Sequence, residues 1–183
     1  HQGREFYAFQ YALDAEGKQI GFFNEEGKEM RRPFLMAPVK YSRISSGFSG
    51  RRFHPVQKRW KAHLGTDYAA PKGTPIVTTA NGTVIAASYN SGNGNYVKVK
   101  HNETYSTQYL HMTGFAKGIR KGVYVEQGQT IGYVGSTGLA TGPHVCYRFW
   151  KNGKQINHRA EKFPSSIPMV DSLLPSYLEY IKP

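Results

Sequence analysis

A chain of 183 residues is long enough for one well-buried domain and leaves a remainder too small to fold alone. Its 39% apolar content, 20 glycines, 10 prolines and 14% aromatic residues exclude a disordered or fibrous protein and predict short strands joined by tight turns. Lys and Arg number 24 against 12 Asp and Glu, and the formal charge of +12 favours an anionic partner: nucleic acid, acidic lipid or an acidic cell-wall polymer.

The basic residues are scattered in ones and twos, as in Arg31-Arg32, Arg51-Arg52 and Lys58-Arg59. No DNA or RNA motif accompanies them, which argues against a nucleic-acid partner. The longest apolar runs, such as Val84 to Ala87, fall far short of the roughly 20 residues of a membrane-spanning helix, so no transmembrane segment is expected. A single cysteine, Cys146, excludes an intrachain disulfide. The chain opens at His1 without a start methionine or signal peptide, as a mature or trimmed product would.

Two stretches near the start, Tyr11 to Phe23 and Phe22 to Met30, each follow an aromatic segment with an acidic-Gly-Lys turn, and they predict a small β-meander over residues 6–40. The two prolines of "RRPFLMAPVKY" predict an extended connector into the main body. From Ser45 to about Asn157, short runs alternate with glycine signals, clearest in "GTPIVTTANGTVIAASYNSGNGNYVKVKH". That pattern predicts a mostly β, antiparallel core. In the tail, Pro175 suits a helix start and Leu178 and Ile181 lie three apart, which predicts a short docking helix. The organisation expected is a meander and connector over 1–40, a main domain over 41–160 and an extension over 161–183.

Four pieces carry polar residues that such a core does not select. In "AHLGTDYAAP", His63 and Asp67 share a face whether the segment is extended or helical, which suits either a structural His-Asp hydrogen bond or two metal ligands. In "STQYLHMTG", strand alternation puts Thr107, Tyr109 and His111 together on a polar face. His111 alone reads equally as a hydrogen-bonded histidine. In "PHVCYRF", His144 and Cys146 share a face, and Cys146 is either a small core residue or a thiolate ligand. Arg52 and His54, in "SGFSGRRFHP", belong to a solvated turn or to a substrate contact. Together, His63, Asp67 and Cys146 make three ligands and leave a fourth zinc position open, as catalytic zinc sites do.

The stretches "HLGTDYAAPKGTP", "YSTQYLH" and "GSTGLATGPHVCYRF" resemble the lysostaphin-type (LytM-like, M23) zinc metallopeptidases of bacterial cell-wall metabolism, over roughly residues 31–158 and in the family's order. The lead-in "KEMRRPFLMAPVKYSRISSGFSGRRFHP" resembles that of the periplasmic murein DD-endopeptidases. The resemblance implies a LytM-type fold, zinc as cofactor, peptidoglycan as partner and a periplasmic or envelope location. It makes His63 and Asp67 ligands and His111 and His144 catalytic. Arg52 and His54 in their loop and Tyr109 on the polar strand face are the expected substrate contacts. It implies a zinc endopeptidase that cuts D-alanyl cross-links. Cys146 stands where the family usually has histidine, and it leaves one alternative: an impaired LytM-type module that binds cell wall or regulates an amidase.

Overall fold

The structure is a computed structural model that describes residues 9–13, 15, 20–27, 33–54, 58–163, 169 and 171–182; the side chains of Ile20, Arg52 and His54 lie outside the description. The chain divides into two compact units, Phe34–Glu161 and the paired ends His1–Pro33 and Lys162–Pro183.

In the larger unit, β3 (Arg43–Ser46) is followed by a hairpin of β4 (Ser49–His54) and β5 (Arg59–His63). Next come β6 (Thr66–Ala69), β7 (Pro75–Val77), β8 (Gly82–Asn90), β9 (Gly94–Lys100) and β10 (Tyr105–Phe115). The last four are β11 (Tyr124–Val125), β12 (Thr130–Val134), β13 (His144–Lys151) and β14 (Lys154–Ile156). Among the described residues these form one ten-stranded sheet, whose main path runs β11-β8-β9-β10-β13-β6-β3, and the separate pair β4-β5. Every pairing is antiparallel, as the sequence pattern predicts.

The period-2 pattern explains why the sheet has one packed face. In β9, Val97 and Val99 are fully buried while Lys98 and Lys100 take the opposite face. Tyr109 of β10 lies opposite Tyr147 of β13, which lies opposite Thr66 of β6, so one row crosses three strands. Its two tyrosine hydroxyls are paired inside the core: that of Tyr147 is 2.8 Å from Thr79 Oγ1, and Thr107 Oγ1 donates to that of Tyr109 at 2.8 Å. Such pairing is what allows buried tyrosines to keep their hydroxyls. Two loops, 91–93 and 136–142, meet at backbone contact: Leu139 N–H donates to the Gly92 carbonyl at 3.0 Å, and a Cβ on Gly138 would sit 2.7 Å from that same oxygen. Only glycine permits this approach, and Gly138 also has φ +74°.

In the smaller unit, β1 (Phe9–Ala12) and β2 (Ile20–Phe23) pair antiparallel, which is the first hairpin expected; residues 28–32, beyond the second turn, lie outside the described residues. Helix α1 (Leu174–Tyr180) begins with Pro175 in its first turn, where proline's missing N–H costs nothing. Tyr177 is its buried anchor, packed with Phe23 and Met169, and its hydroxyl lies 2.8 Å from the Asn24 carbonyl. Leu178, one of the two residues that suggested the helix's apolar face, is 40% exposed. Among the described residues no helix is long and apolar enough to cross a membrane.

Candidate metal centre

Two adjacent strands, β13 and β6, and the end of β5 build the site. Cys146 lies opposite Asp67 in the β13-β6 register, and His144, two residues before Cys146, shares its face. His63 ends β5; the chain breaks at Leu64 and Gly65 before β6 resumes, so His63 and Asp67 come from two strands and not from one extended face. The turn returns the imidazole over the carboxylate: His63 Nε2 is 3.0 Å from Asp67 Oδ1 and 3.6 Å from Cys146 Sγ. One potential ligand atom each from His63, Asp67 and Cys146 lies within 4.8 Å of the others, a group that could hold a metal ion. All three residues are buried. Gly65 makes the approach possible, since a Cβ there would stand 2.9 Å from Cys146 Sγ.

His111 reaches the site by breaking alternation. Thr107 and Tyr109 are fully buried on the core face, and a regular strand would send His111 after them. At His111 the backbone instead takes φ +66°, and the β9-β10 register shifts between Tyr109 and Met112. A bulge of this kind re-aims a side chain and is common beside active sites. The His111 ring therefore stands with its centroid 4.8 Å from that of His144. The Asn93 carbonyl accepts the His111 N–H at 2.9 Å, and the Thr137 carbonyl accepts from the ring Nδ1 at 2.7 Å. Thr137 Oγ1 in turn donates to the Met112 carbonyl at 2.7 Å.

Each of the three histidines spends Nδ1 on a backbone carbonyl: Gly47 for His63 at 2.8 Å, Thr137 for His111, and Gly142 for His144 at 2.8 Å. This fixes the tautomer and leaves Nε2 unprotonated in a neutral ring. For His63 the consequence is sharp, because its Nε2 lone pair then points at a carboxylate and a sulfur. Lone pairs converging in a buried space repel unless a cation, a proton or a metal, sits between them. Histidines that bind metals use the same outer bond to a carbonyl.

The charges follow the same logic. Burial works to raise the Asp67 pKa, but the His63 hydrogen bond and charge, the charge of His144 and the Cys146 thiol outweigh it, so the group stays below its ordinary value. Burial, reinforced by the Asp67 charge, pushes the Cys146 thiol up to about 12, while Arg148 pulls the other way. Cys146 therefore needs a cation to become a thiolate. Burial lowers His111 to about 4, against the opposing pull of the Thr137 bond, so the ring is neutral at neutral pH.

These groups open into a cleft of about 180 Å³, whose wall also includes Lys61, Asn93, Leu139 and Arg148. The structure thus gathers His63, Asp67, Cys146, His111 and His144. It does not bring Tyr109 to them: that residue is fully buried in the core, with the Thr79 N–H donating to its hydroxyl at 3.0 Å, so no substrate reaches it. Arg52 and His54 fall on β4, and their side chains lie outside the described residues. Sequence reasoning missed Gly65, Thr137, Lys61 and Arg148. Only Arg148 carried a local signal, being two residues past Cys146 on the same strand face.

Residues 61–158 match the model of peptidase family M23, and the chain belongs to that family. Peptidoglycan DD-endopeptidase ShyC of Vibrio cholerae is 46% identical over 145 residues, covering 79% of this chain and 33% of ShyC. A crystal structure of a zinc-containing peptidase from Vibrio cholerae superposes with a TM-score of 0.68 at 35% identity, covering 87% of this chain and 47% of that one. The catalytic domain of lysostaphin from Staphylococcus simulans shares the fold, with a TM-score of 0.54 at 23% identity over 75% of this chain and 92% of that domain. The chain spans about a third of the length of the curated relatives it matches.

Proposed function

We propose that the protein is a zinc-dependent endopeptidase that hydrolyses peptide cross-links of peptidoglycan, D-alanyl links above all, in the periplasm or cell envelope. The observation that carries this reading is the convergence of His63, Asp67 and Cys146, with two Nε2-presenting histidines beside it. Tetrahedral zinc with bonds of roughly 2.0–2.3 Å sets its ligand atoms roughly 3.3–3.8 Å apart. The 3.6 Å from His63 Nε2 to Cys146 Sγ falls within that span, and the 3.0 Å to Asp67 Oδ1 lies just below it. His63, Asp67 and Cys146 would hold the ion and leave a position open to the cleft.

Bound there, zinc supplies Lewis-acid polarisation of a scissile carbonyl and of water. The protein's own part is acid-base work. His111 and His144 face the cleft with Nδ1 held by a carbonyl, so each in its neutral form presents Nε2 as an acceptor that would take a hydrogen bond from water and orient it. A ring that takes the proton becomes a donor, able to steady an oxyanion or protonate the leaving amine. His111 is firmly placed for this by the Asn93 and Thr137 carbonyls. Lys61 and Arg148 line the cleft and favour an acidic substrate, and the name of ShyC supports peptidoglycan as that substrate.

Elemental analysis of the protein purified under reducing conditions tests the site, and digestion of cross-linked muropeptides tests the activity. About one zinc per chain is expected, with loss of cross-linked dimers. Zinc without any cleavage would favour the impaired, wall-binding module; no zinc uptake at all would overturn the metal reading.

A further inference from the structure

A cysteine in place of a neutral ligand changes the charge of the proposed zinc site. Asp67 and a Cys146 thiolate together cancel a divalent ion, whereas an imidazole in the place of Cys146 would leave one net positive charge. A less positive ion is a weaker Lewis acid. The structure contains a nearby source for the missing charge. Arg148 sits two residues past Cys146 in β13, on the same face of the strand. Both side chains close on one spot: a Cβ on Gly65 would meet Cys146 Sγ at 2.9 Å and Arg148 Cγ at 3.0 Å. Arg148 also lines the cleft beside Asp67 and Cys146.

The guanidinium has a donor to give. Arg148 Nε is buried and has no hydrogen-bond partner among the described residues. A buried N–H left without an acceptor is costly, so such a group is expected to have a use. Its charge already acts on Cys146, opposing the effect of burial. Arginine cannot shed its proton, and its planar fork gives direction as well as charge.

We infer that Arg148 is a positioning residue that donates to the sulfur of metal-bound Cys146 and restores the positive charge that a cysteine ligand removes. The inference rests on the zinc reading above. Arg148 touches neither substrate nor water in this role; it acts through the thiolate, as outer partners of metal ligands do.

A double-mutant cycle on the full chain separates this role from a structural one. Arg148→Gln, Arg148→Lys, Cys146→His and the Arg148→Gln/Cys146→His pair are compared by zinc affinity, measured against a chromophoric chelator. Arg148→Gln is expected to lose roughly 10- to 100-fold in affinity with Cys146 present, and less than about twofold with His at 146. Arg148→Lys, which keeps the charge, is expected to recover most of that loss. In the cobalt-substituted protein, the thiolate-to-cobalt charge-transfer band should move to lower energy in Arg148→Gln, because a sulfur that loses its donor gives up an electron more readily. Equal losses with Cys or His at position 146, or an unmoved band with unchanged affinity, would overturn the inference. A parent that takes up neither zinc nor cobalt would overturn the metal reading itself and this role with it.

Discussion

Gly65→Ala isolates the packing that lets Cys146 reach the site. The new methyl would meet Cys146 Sγ at 2.9 Å, Arg148 Cγ at 3.0 Å and the Tyr147 carbonyl oxygen at 3.0 Å. Gly65 does not occupy the left-handed region, so the substitution adds crowding and no backbone strain. In the unfolded chain, alanine's smaller freedom should stabilise the protein by about 0.4–1 kcal/mol. Overpacking a well-filled site costs about 1–3 kcal/mol. Crowding should win here, because one of the three neighbours is backbone in the middle of β13 and a second is the stem of the Arg148 side chain, not its flexible far end. The net expectation is a loss of about 1–2 kcal/mol, read as a fall of roughly 0.5–1 M in the urea midpoint. The measurement is made with zinc chelated, since a bound metal would add its own stabilisation by mass action. Zinc affinity should fall about tenfold, as Sγ is pushed off its line toward His63 Nε2. In a Cys146→Ala background the nearest contact is gone and the stability penalty should shrink. A Gly65→Ala protein as stable as the parent that binds zinc equally well would refute the account of how the turn places the thiol.

Cys146→His should keep zinc and cleavage, while Cys146→Ser should weaken both; unchanged zinc in the serine variant, by elemental analysis, removes Cys146 from the ligand set. His111→Ala should retain zinc but lose about 10²- to 10⁴-fold in turnover of a cross-linked muropeptide, and a fully active variant would take His111 out of the reaction. His158, buried with Nε2 2.9 Å from the Tyr68 hydroxyl, is lowered by burial to about 4. Its folded pKa lies below the unfolded value of about 6.5, so its contribution is complete above that pH and is lost as pH falls through 6.5 toward 4. The loss is on the order of 3 kcal/mol; His158→Gln should flatten the fall in urea stability over that window, and parallel curves for parent and variant would show that other groups cause it.

The fold was legible because its signals are local. Alternating Val and Lys in "NYVKVK" and the glycine turns around it need only the two faces of a strand, one dry and one wet, and β9 shows both. The same held for His144 and Cys146, whose shared face follows from even spacing on a regular strand. The site was harder where its residues meet across a turn. His63 and Asp67 do converge, but through a break and bend at Leu64 and Gly65 that spacing alone cannot distinguish from a continuous extended segment. The helix near the end was signalled by Pro175, yet its anchor is Tyr177, because the partner surface of Phe23 and Met169 decides which side is buried.

His111 shows why one residue of an expected strand face lines the cleft while its neighbour lies in the core. Strand alternation groups Thr107, Tyr109 and His111 on one face, and that grouping is what made Tyr109 look like a substrate contact. Alternation holds only while every residue stays in the β region. One left-handed residue in a bulge sends its own side chain to the other face, and His111 is that residue. Nothing in "STQYLHMTG" marks the change, because its cause lies elsewhere in the chain: the Asn93 carbonyl that captures the His111 N–H and the Thr137 carbonyl that captures its ring. Those carbonyls are in place because glycines 94 and 138 let two stretches of backbone touch. The bulge thus separates two functions along three residues of β10, with Tyr109 bonded into the core and His111 committed to the cleft. A histidine at φ +66° is uncommon enough that the surrounding bonds must hold it there, and they are the bonds that fix its tautomer.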